Sequence, residues 1–374
     1  MSRIKLLLYV FALMLLPAVV SAHPATGIVV DAQGRISFSD LETVWRIDAG
    51  GRLSVFRAGA RGRHVHELSV DRDGNVYGGD VSYDTRTGLW VEAVWRRTPD
   101  GREETYLVPP TTDPPRGLSI WRDAAGNTFY VEQDRHLNRE TRILKRTPSG
   151  EVSTLAGGEY GHADGLGALA RFRSIGGLAF GPDGSLYVTD EGSLRRVSPN
   201  GEVKTLAEGL DEKMPGDEEA GYGGLMGLAV DAGGSVYVAD YGRRRVLKVG
   251  ADGKVTRVAR AEEPWSPTGV ATTRDGRVLI LEAGFAPPNV FSGPRVRALS
   301  PDGSLKVLAT VGLKENVALR LTKPSDPPGT PSAEKYEGNV GRVELALGLY
   351  FGLGVFAIGA VAGRRSFRMR RRHD

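Results

Sequence analysis

The chain has 374 residues, of which 50 are glycine and none is cysteine. This length is enough for one large domain with a sizeable core. The lack of cysteine excludes disulfides, thiolate metal sites, thiol nucleophiles and a lipid-modified N-terminal cysteine. The net charge is +4; Arg3 and Lys5 contribute +2 and the last eleven residues +5, which leaves about −3 for the region between them. That region gives no support for nucleic-acid binding, and we expect none.

The N-terminus has the pattern of a secretory signal. Arg3 and Lys5 precede an apolar run from Leu6 to Val20, and small residues then occupy the −3 and −1 positions of a cleavage site after Ala22. This order of charge, apolar core and small residues is typical of a signal peptide. We therefore predict a signal peptide over residues 1–22, with an uncleaved N-terminal anchor as the alternative.

Phrases built around a glycine turn recur six times from residue 31 onward. Each phrase has an acid or another turn residue, a turn that ends in glycine, an apolar strand and then an acid. The six turn glycines are Gly34, Gly74, Gly126, Gly184, Gly234 and Gly276. A third strand and a second glycine turn follow each phrase, as in Thr98-Pro-Asp-Gly101 and Ser300-Pro-Asp-Gly303. Such turns join antiparallel strands.

Six units of this kind predict an all-β fold. Each unit of about 48 residues reads as a four-stranded antiparallel meander. Six meanders arranged radially form a six-bladed β-propeller, which leaves few exposed edges. We assign this propeller to residues 23–320.

Two of the phrases resemble a known repeat family. Gly184-Ser-Leu-Tyr-Val-Thr-Asp190 and Gly227-Leu-Ala-Val-Asp-Ala-Gly-Gly-Ser-Val-Tyr-Val-Ala-Asp240 look like NHL repeats, and the segment from Leu155 to Phe172 is similar to a long loop between blades in that family. The resemblance covers residues 26–311. It implies a six-bladed propeller that is mostly a binding scaffold, with relatives among gluconolactonase-like hydrolases and peptidyl-hydroxyglycine-lyase-like enzymes.

The C-terminus is predicted to hold the chain in a membrane. Residues 321–343 are rich in proline and predict a stalk. Residues 344–363 include nineteen uncharged residues from Leu345 to Gly363, which as a helix span about 28 Å, the thickness of a hydrocarbon core. The basic tail, residues 364–374, carries six arginines and is expected in the cytoplasm.

We therefore predict a single-pass protein of the cytoplasmic (inner) membrane, with the propeller on the periplasmic or extracellular side. A sorting tail that is later cleaved is the alternative to a permanent membrane helix.

The turns divide the predicted propeller into two faces. The first–second and third–fourth strand connections are tight glycine turns in every unit, whereas the other connections vary in length. We call the first the turn face and the second the variable face, and we expect function on the variable face. Six acids end the phrases there: Asp40, Asp80, Glu132, Asp190, Asp240 and Glu282.

The acids allow two interpretations. Grouped carboxylates bind divalent cations such as calcium. Repetition in every unit instead favours hydrogen bonds to the loop amides of each unit, because an asymmetric site should break the pattern. Tyr83 and Trp90 in the longest hairpin are further candidates for contact with a ligand or partner.

Histidines provide a possible zinc site. His64 and His66 form an H-x-H before a first strand, and His136 or His162 would complete a set of ligands. Surface or structural histidines are the interpretation we favour. If a metal binds, the candidate ligands are His64, His66, Glu132 and Asp190. We favour no cofactor, with calcium or zinc as the possible ions.

Two functions remain open from the sequence. We find no G-x-S-x-G, phosphate-binding, H-E-x-x-H or dinucleotide motif. The first hypothesis is therefore a non-catalytic binding or scaffolding module that recognises a protein or glycan through the variable face. The alternative is a metal-dependent hydrolase or lyase of the gluconolactonase-like or peptidyl-hydroxyglycine-lyase-like kind.

Overall fold

The computed structural model describes residues 25–60, 62–84, 89–107, 120–133, 140–220, 223–286 and 290–312. The predicted signal peptide, the stalk, the membrane helix and the basic tail all lie outside these residues. Among the described residues, no helix has the length and apolar character needed to cross a membrane.

The described residues form six antiparallel sheets, and the first three each contain four strands in chain order. We number these sheets as blades 1 to 6. Blades 1 to 3 are β1 (Ile28–Val30), β2 (Ile36–Ser39), β3 (Val44–Ile47), β4 (Leu53–Arg57); β5 (His64–Val70), β6 (Val76–Asp84), β7 (Leu89–Arg97), β8 (Glu103–Leu107); and β9 (Ile120–Arg122), β10 (Thr128–Gln133), β11 (Glu140–Arg146), β12 (Val152–Glu159).

The last three sheets repeat this meander, with one added strand. Blades 4 to 6 are β14 (Ile175–Phe180), β15 (Leu186–Asp190), β16 (Ser193–Val197), β17 (Glu202–Ala207); β18 (Leu225–Val230), β19 (Val236–Asp240), β20 (Arg245–Val249), β21 (Val255–Arg260); and β22 (Trp265–Thr272), β23 (Val278–Ala286), β24 (Val290–Leu299), β25 (Leu305–Thr310). The prediction of six four-stranded blades is confirmed.

The added strand belongs to the connection between blades 3 and 4. We expected this segment to be a loop, but β13 (Gly165–Leu166) pairs with the outer strand β17 and makes blade 4 five-stranded. A short 3-10 helix, Gly167–Leu169, follows it. The connection thus satisfies backbone groups at an edge that would otherwise remain unpaired.

Glycine turns close the first–second and third–fourth strand pairs. In all twelve turns the glycine has a φ between 76° and 94°, and its N–H donates to the carbonyl three residues earlier, as Gly34 does to Asp31 and Gly303 does to Ser300. A φ in this range favours glycine over residues with a Cβ. The uniformity of the turn face follows from this repeated chemistry.

The apolar core lies between neighbouring blades. One buried cluster joins Phe129 and Ile143 of blade 3 to Leu178 and Val188 of blade 4. Similar clusters join blades 4 and 5, and blades 5 and 6. The sheets of blades 4 and 5 are therefore covered on both faces, which explains why their second strands are buried along their whole length.

Within the described residues, the ring closes between blades 6 and 1 without strand exchange. Each of these sheets contains only consecutive strands of its own. Phe38 and Trp45 of blade 1 share a buried cluster with Leu279 and Leu281 of blade 6, and the innermost strands β1 and β22 are in contact. The closure therefore rests on side-chain packing.

Glycines let the innermost strands approach each other. A Cβ on Gly269 of blade 6 would collide with the carbonyl oxygen of Thr26, and a Cβ on Gly227 of blade 5 would lie 2.9 Å from the Cα of Gly269. A Cβ on Gly27 of blade 1 would likewise lie 2.9 Å from the backbone nitrogen of Leu68 in blade 2. These contacts leave no room for a side chain at these positions.

Candidate functional site

The six acids of the variable face stand at matching positions in their blades. Five lie in second strands and Asp40 directly follows one. In blades 2 and 6 the strands continue beyond the acid, to Asp84 and Ala286. The acids therefore mark a common level in all six blades, above which two hairpins extend further.

Asp190 is fully buried and paired. Nη1 of Arg195 donates to its carboxylate at 2.8 Å, and both side chains are inaccessible to solvent. The N–H groups of Arg173 and Ser174 donate to the other oxygen at 2.8 and 2.9 Å. Arg195 also donates to the carbonyl of Ala163 at 2.7 Å. The pair thus fastens the connection between blades 3 and 4 to blade 4.

Asp240 is paired in the same way in blade 5. Nε of Arg245 donates to it at 2.7 Å, and Arg245 also binds Asp217 of the preceding connection. Burial raises the pKa of Asp240, although Arg245 opposes that rise. Burial would also raise the pKa of Asp217, but the N–H of Met214 and two guanidiniums hold it below its usual range.

The other four acids also have partners. Asp80 accepts two hydrogen bonds of 2.7 Å from Arg57 in blade 1. Glu132 pairs with Arg142 at 2.5 Å. Glu282 is buried and binds two arginines, one of them Arg295 at 2.6 Å. Asp40 accepts the indole N–H of Trp45 at 2.8 Å and the N–H of Thr43 at 2.7 Å. Five of the six acids are thus balanced by an arginine.

Of the remaining candidates, His162 lies beside one of these acids: its Nδ1 is 3.5 Å from Oδ2 of Asp190. Tyr83 and Trp90 face each other as a cross-strand pair of the β6–β7 hairpin, but their side chains lie outside the described residues. His136 lies outside them as well. His162 is held by Nη1 of Arg195 at 3.4 Å and by Glu208 at 3.2 Å.

His64 and His66 lie inside the innermost strand β5, and not before it as we expected. Their rings are 6.0 Å apart between centroids and meet edge to face. Burial lowers the pKa of His64, and Glu42 opposes that change. The two rings therefore lie on the same side of the strand, as their alternation predicted.

The described residues do not fit a metal centre. No group of three or more histidine, aspartate or glutamate side chains within them is arranged to hold an ion. Arginines occupy carboxylate oxygens of five of the six acids, and the indole of Trp45 and the N–H of Thr43 bind Asp40. These donors take the oxygens that an ion would need. Metal binding by this chain therefore stays a prediction.

One acid near the ring centre, Glu67, was not predicted from the sequence. Four residues before the first residue of each phrase, the chain has Gly27, Gly177, Gly227 and Gly269 in blades 1, 4, 5 and 6. Blade 2 has Glu67 at this point. We argued that an asymmetric site should break the repeat, and Glu67 is such a break. Aligning the innermost strands would have revealed it.

Glu67 lies where several blades meet. Thr26 of blade 1 donates its hydroxyl to Oε1 of Glu67, and a Cβ on Gly227 of blade 5 would lie 3.5 Å from the Cβ of Thr26. The backbone of Thr26 also touches Gly269 of blade 6. Since blades 1, 2, 5 and 6 converge on Thr26, this residue and Glu67 lie near the ring axis.

The carboxyl group of Glu67 has a pKa close to neutral pH. Burial raises its pKa to about 7, although the hydroxyl of Thr26 opposes that rise. No cationic side chain among the described residues forms an ion pair with it. Glu67 is still partly accessible. It thus combines a position at the ring centre with a carboxyl group that exchanges protons near neutral pH.

Among known proteins, the chain is similar to solved structures of other propellers. No family model matches the chain, and no curated protein matches it. NHL membership therefore stays a prediction, whereas the propeller fold rests on the six sheets themselves.

Three similar solved structures illustrate the comparison. Virginiamycin B lyase from Staphylococcus aureus is 14% identical, covers 78% of this chain and 86% of its own, and gives a TM-score of 0.46. A calcium-binding protein, regucalcin, from Agrobacterium tumefaciens is 18% identical over 70% and 83% of the two chains, with a TM-score of 0.48. A gluconolactonase from Xanthomonas campestris is 18% identical over 76% of this chain and 87% of its own, with a TM-score of 0.47. Similarity this low carries no argument about activity.

Proposed function

We propose that this propeller is an enzyme of the hydrolase or lyase class that uses Glu67 as a general acid–base at the ring centre. The observation that supports the proposal is the carboxyl group itself: it is asymmetric within the repeat, half-buried, close to the axis and has a pKa of about 7. A catalytic acid–base is most effective when its pKa lies near the working pH. Five of the six acids that repeat in the blades are instead paired with arginines.

In the proposed chemistry, Glu67 takes a proton from one atom of the reacting groups and returns it to the leaving oxygen. In the hydrolase form, the carboxylate of Glu67 takes a proton from a water molecule as the water oxygen attacks an ester or lactone carbonyl. The acyl–oxygen bond then breaks, and the proton passes to the leaving oxygen. In the lyase form, Glu67 takes the proton from the carbon next to a carbonyl, and the electrons of that C–H bond form a carbon–carbon double bond. The bond from the adjacent carbon to the leaving oxygen breaks, and that oxygen takes the proton from Glu67. Thr26 orients the carboxyl group in both.

The experiment uses purified wild-type protein, Glu67→Gln and Glu159→Gln. Glu159 is an exposed acid at the end of β12 that pairs with Arg171, and its variant serves as the control. A panel of aliphatic lactones and aryl esters is assayed from pH 5 to pH 9. We expect activity that rises through pH 7 in wild type and Glu159→Gln and falls at least about 100-fold in Glu67→Gln. Equal activity in all three proteins would contradict the role of Glu67.

A substrate-independent measurement tests the carboxyl group directly. Infrared difference spectra detect the C=O band of a protonated carboxylic acid. We expect a band that disappears as pH rises through 7 in wild type and is missing in Glu67→Gln. If the band is the same in both proteins, the acid–base proposal is wrong even when no substrate has been found.

A binding module remains a second candidate because of two long hairpins. The β6–β7 hairpin pairs as far as Asp84 and Leu89, and the β23–β24 hairpin as far as Ala286 and Val290. Both reach four residues, or about 13 Å, beyond the level of the acids. Blade 1 lies between them and has a connection of four residues, Asp40–Thr43. The two hairpins therefore flank a lower blade, a suitable place for a protein or glycan partner.

We also propose that the propeller is displayed outside the cytoplasmic membrane, between a cleaved signal and a membrane helix. The support is the pattern of the two ends of the sequence. Spheroplasts of a bacterial host that express the full chain are treated with a protease. We expect the propeller to be digested in intact spheroplasts, whereas protection would place it in the cytoplasm.

A further inference from the structure

Arg46 is a buried guanidinium on the turn-face side of blade 1. It lies on β3, two residues before the turn that starts at Asp48, and only 8% of the residue is accessible. Its Nε donates to Ser37 at 3.2 Å, and its Cζ lies 3.5 Å above the centre of the Phe56 ring. Nη2 is buried and has no hydrogen-bond partner among the described residues. No carboxylate pairs with this charge within that part of the chain.

The other blades treat the matching position differently. Arg96 in blade 2 and Arg196 in blade 4 pair with Glu104 and Asp183, at 2.6 and 2.5 Å. Lysines occupy this position in blades 3 and 5, each beside an aromatic ring of its own blade. These four basic residues lie opposite Tyr or Phe in the second strand, whereas Arg46 lies opposite Ser37. Blade 6 has Ala298 at this position, opposite Leu279. Arg46 is therefore the one basic residue of the five that has no aromatic residue opposite it in the second strand.

Two more arginines surround the same seam between blades 1 and 2. Cζ of Arg97, at the end of β7, lies 5.3 Å from the Phe56 ring centre, and its Nε is buried without a partner among the described residues. Arg35 lies beside the first turn of blade 1 and binds Asp31 at 2.6 Å. The ring of Phe56 thus has two guanidiniums near it.

The nearby acids are already engaged. Asp31 binds Arg35, and Glu103 is shared between Arg57 at 3.0 Å and Arg97 at 3.1 Å. Burial lowers the pKa of Arg46 to about 10, with Arg35 and Arg97 lowering it further and Asp31 opposing them. The described groups around Arg46 therefore leave an excess of positive charge in a poorly solvated seam, which is unfavourable without a counter-charge.

We propose that the seam of Arg46, Arg97 and Arg35 binds a small anion with planar or tetrahedral oxygens, a carboxylate or a phosphate group. A guanidinium donates two parallel hydrogen bonds to such groups, and these are stronger than neutral hydrogen bonds. The site is separate from the ring-centre carboxyl group of Glu67: it lies near the turn face, where the sequence analysis expected no function.

The test measures thermal unfolding of the full chain in inorganic phosphate, in acetate and in chloride at one ionic strength. Wild type is compared with Arg46→Met and with Arg96→Met, the matched control in blade 2. We expect phosphate or acetate to raise the Tm of wild type and of Arg96→Met in a saturable manner. Arg46→Met should lose this response, and its Tm without the anion should equal or exceed that of wild type, since an unpaired buried charge is gone.

The three salts also identify the anion class. A lower half-saturating concentration for phosphate than for acetate assigns a phosphate group, and the reverse assigns a carboxylate. Arg97→Met is a second variant, and we expect its half-saturating concentration to rise at least about tenfold, the loss of one charge-assisted hydrogen bond. The proposal is overturned if Arg46→Met responds like wild type, or if wild type responds no more to phosphate or acetate than to chloride.

Discussion

Among single side chains, Glu67 should make stability depend on pH in the direction opposite to that of an ion-paired carboxylate. Its folded-state pKa of about 7 lies above the ordinary 4.5. The folded state then binds the proton more tightly, so stability is lost as pH rises from 4.5 to 7. The free energy of unfolding falls by at most about 3 kcal/mol over this pH range.

The prediction is tested by urea unfolding of wild type and Glu67→Gln at pH 5 and pH 8. We expect the free energy of unfolding of the variant, relative to that of wild type, to increase by up to about 3 kcal/mol between pH 5 and pH 8. Other titrating groups are common to both proteins and cancel in this difference. A difference that stays constant between the two pH values would show that Glu67 titrates as an ordinary exposed acid.

Asp190 and Arg195 offer a second prediction for single residues. Both side chains are fully buried, so Arg195→Met leaves a charge without its partner. We expect a loss of about 3–5 kcal/mol in the free energy of unfolding. Arg102→Met serves as the control, because the pair of Arg102 and Asp100 is exposed and should contribute less than about 1 kcal/mol. Similar losses in both variants would contradict the structural role of the buried pair.

For whole strands, the prediction concerns the close approach of neighbouring blades at the ring centre. Gly269→Ala places a Cβ against the carbonyl oxygen of Thr26, a backbone atom that cannot turn aside as the end of a flexible side chain can. We expect a loss of stability of about 1–3 kcal/mol from overpacking, measured by thermal or urea unfolding. Gly224→Ala is the matched control, since a Cβ there meets nothing within 4 Å and the backbone has no positive φ. Equal effects of the two substitutions would contradict the tight contact.

For the whole molecule, closure by packing predicts one cooperative unit. Phe38 belongs to the cluster that joins blades 6 and 1, and Phe129 to the cluster that joins blades 3 and 4. We expect Phe38→Ala and Phe129→Ala each to cost about 3–5 kcal/mol and to unfold in a single transition. Calorimetry provides the measurement. A separate early transition in Phe38→Ala would show that blade 1 or blade 6 opens independently of the ring.

The sequence by itself determined the blade count. The glycine turns at Gly34, Gly184 and their equivalents are local signals: each needs a positive φ that glycine adopts readily, so spacing alone predicted the six meanders. The level of the six acids followed from the same spacing. Their pairing with arginines did not, because Arg57 reaches Asp80 from another blade and Arg142 and Arg195 approach from different strand positions.

The tertiary structure decided what lies at the ring centre and in the seams. Glu67 and Thr26 are 41 residues apart and meet because six separate strands converge on one axis. Arg46 becomes a buried charge only when blade 2 packs against blade 1 and brings Arg97 to the Phe56 ring. Local spacing fixes turns and strands. The pKa of a side chain and the balance of its charge depend on neighbours from other blades, and only the closed ring supplies them.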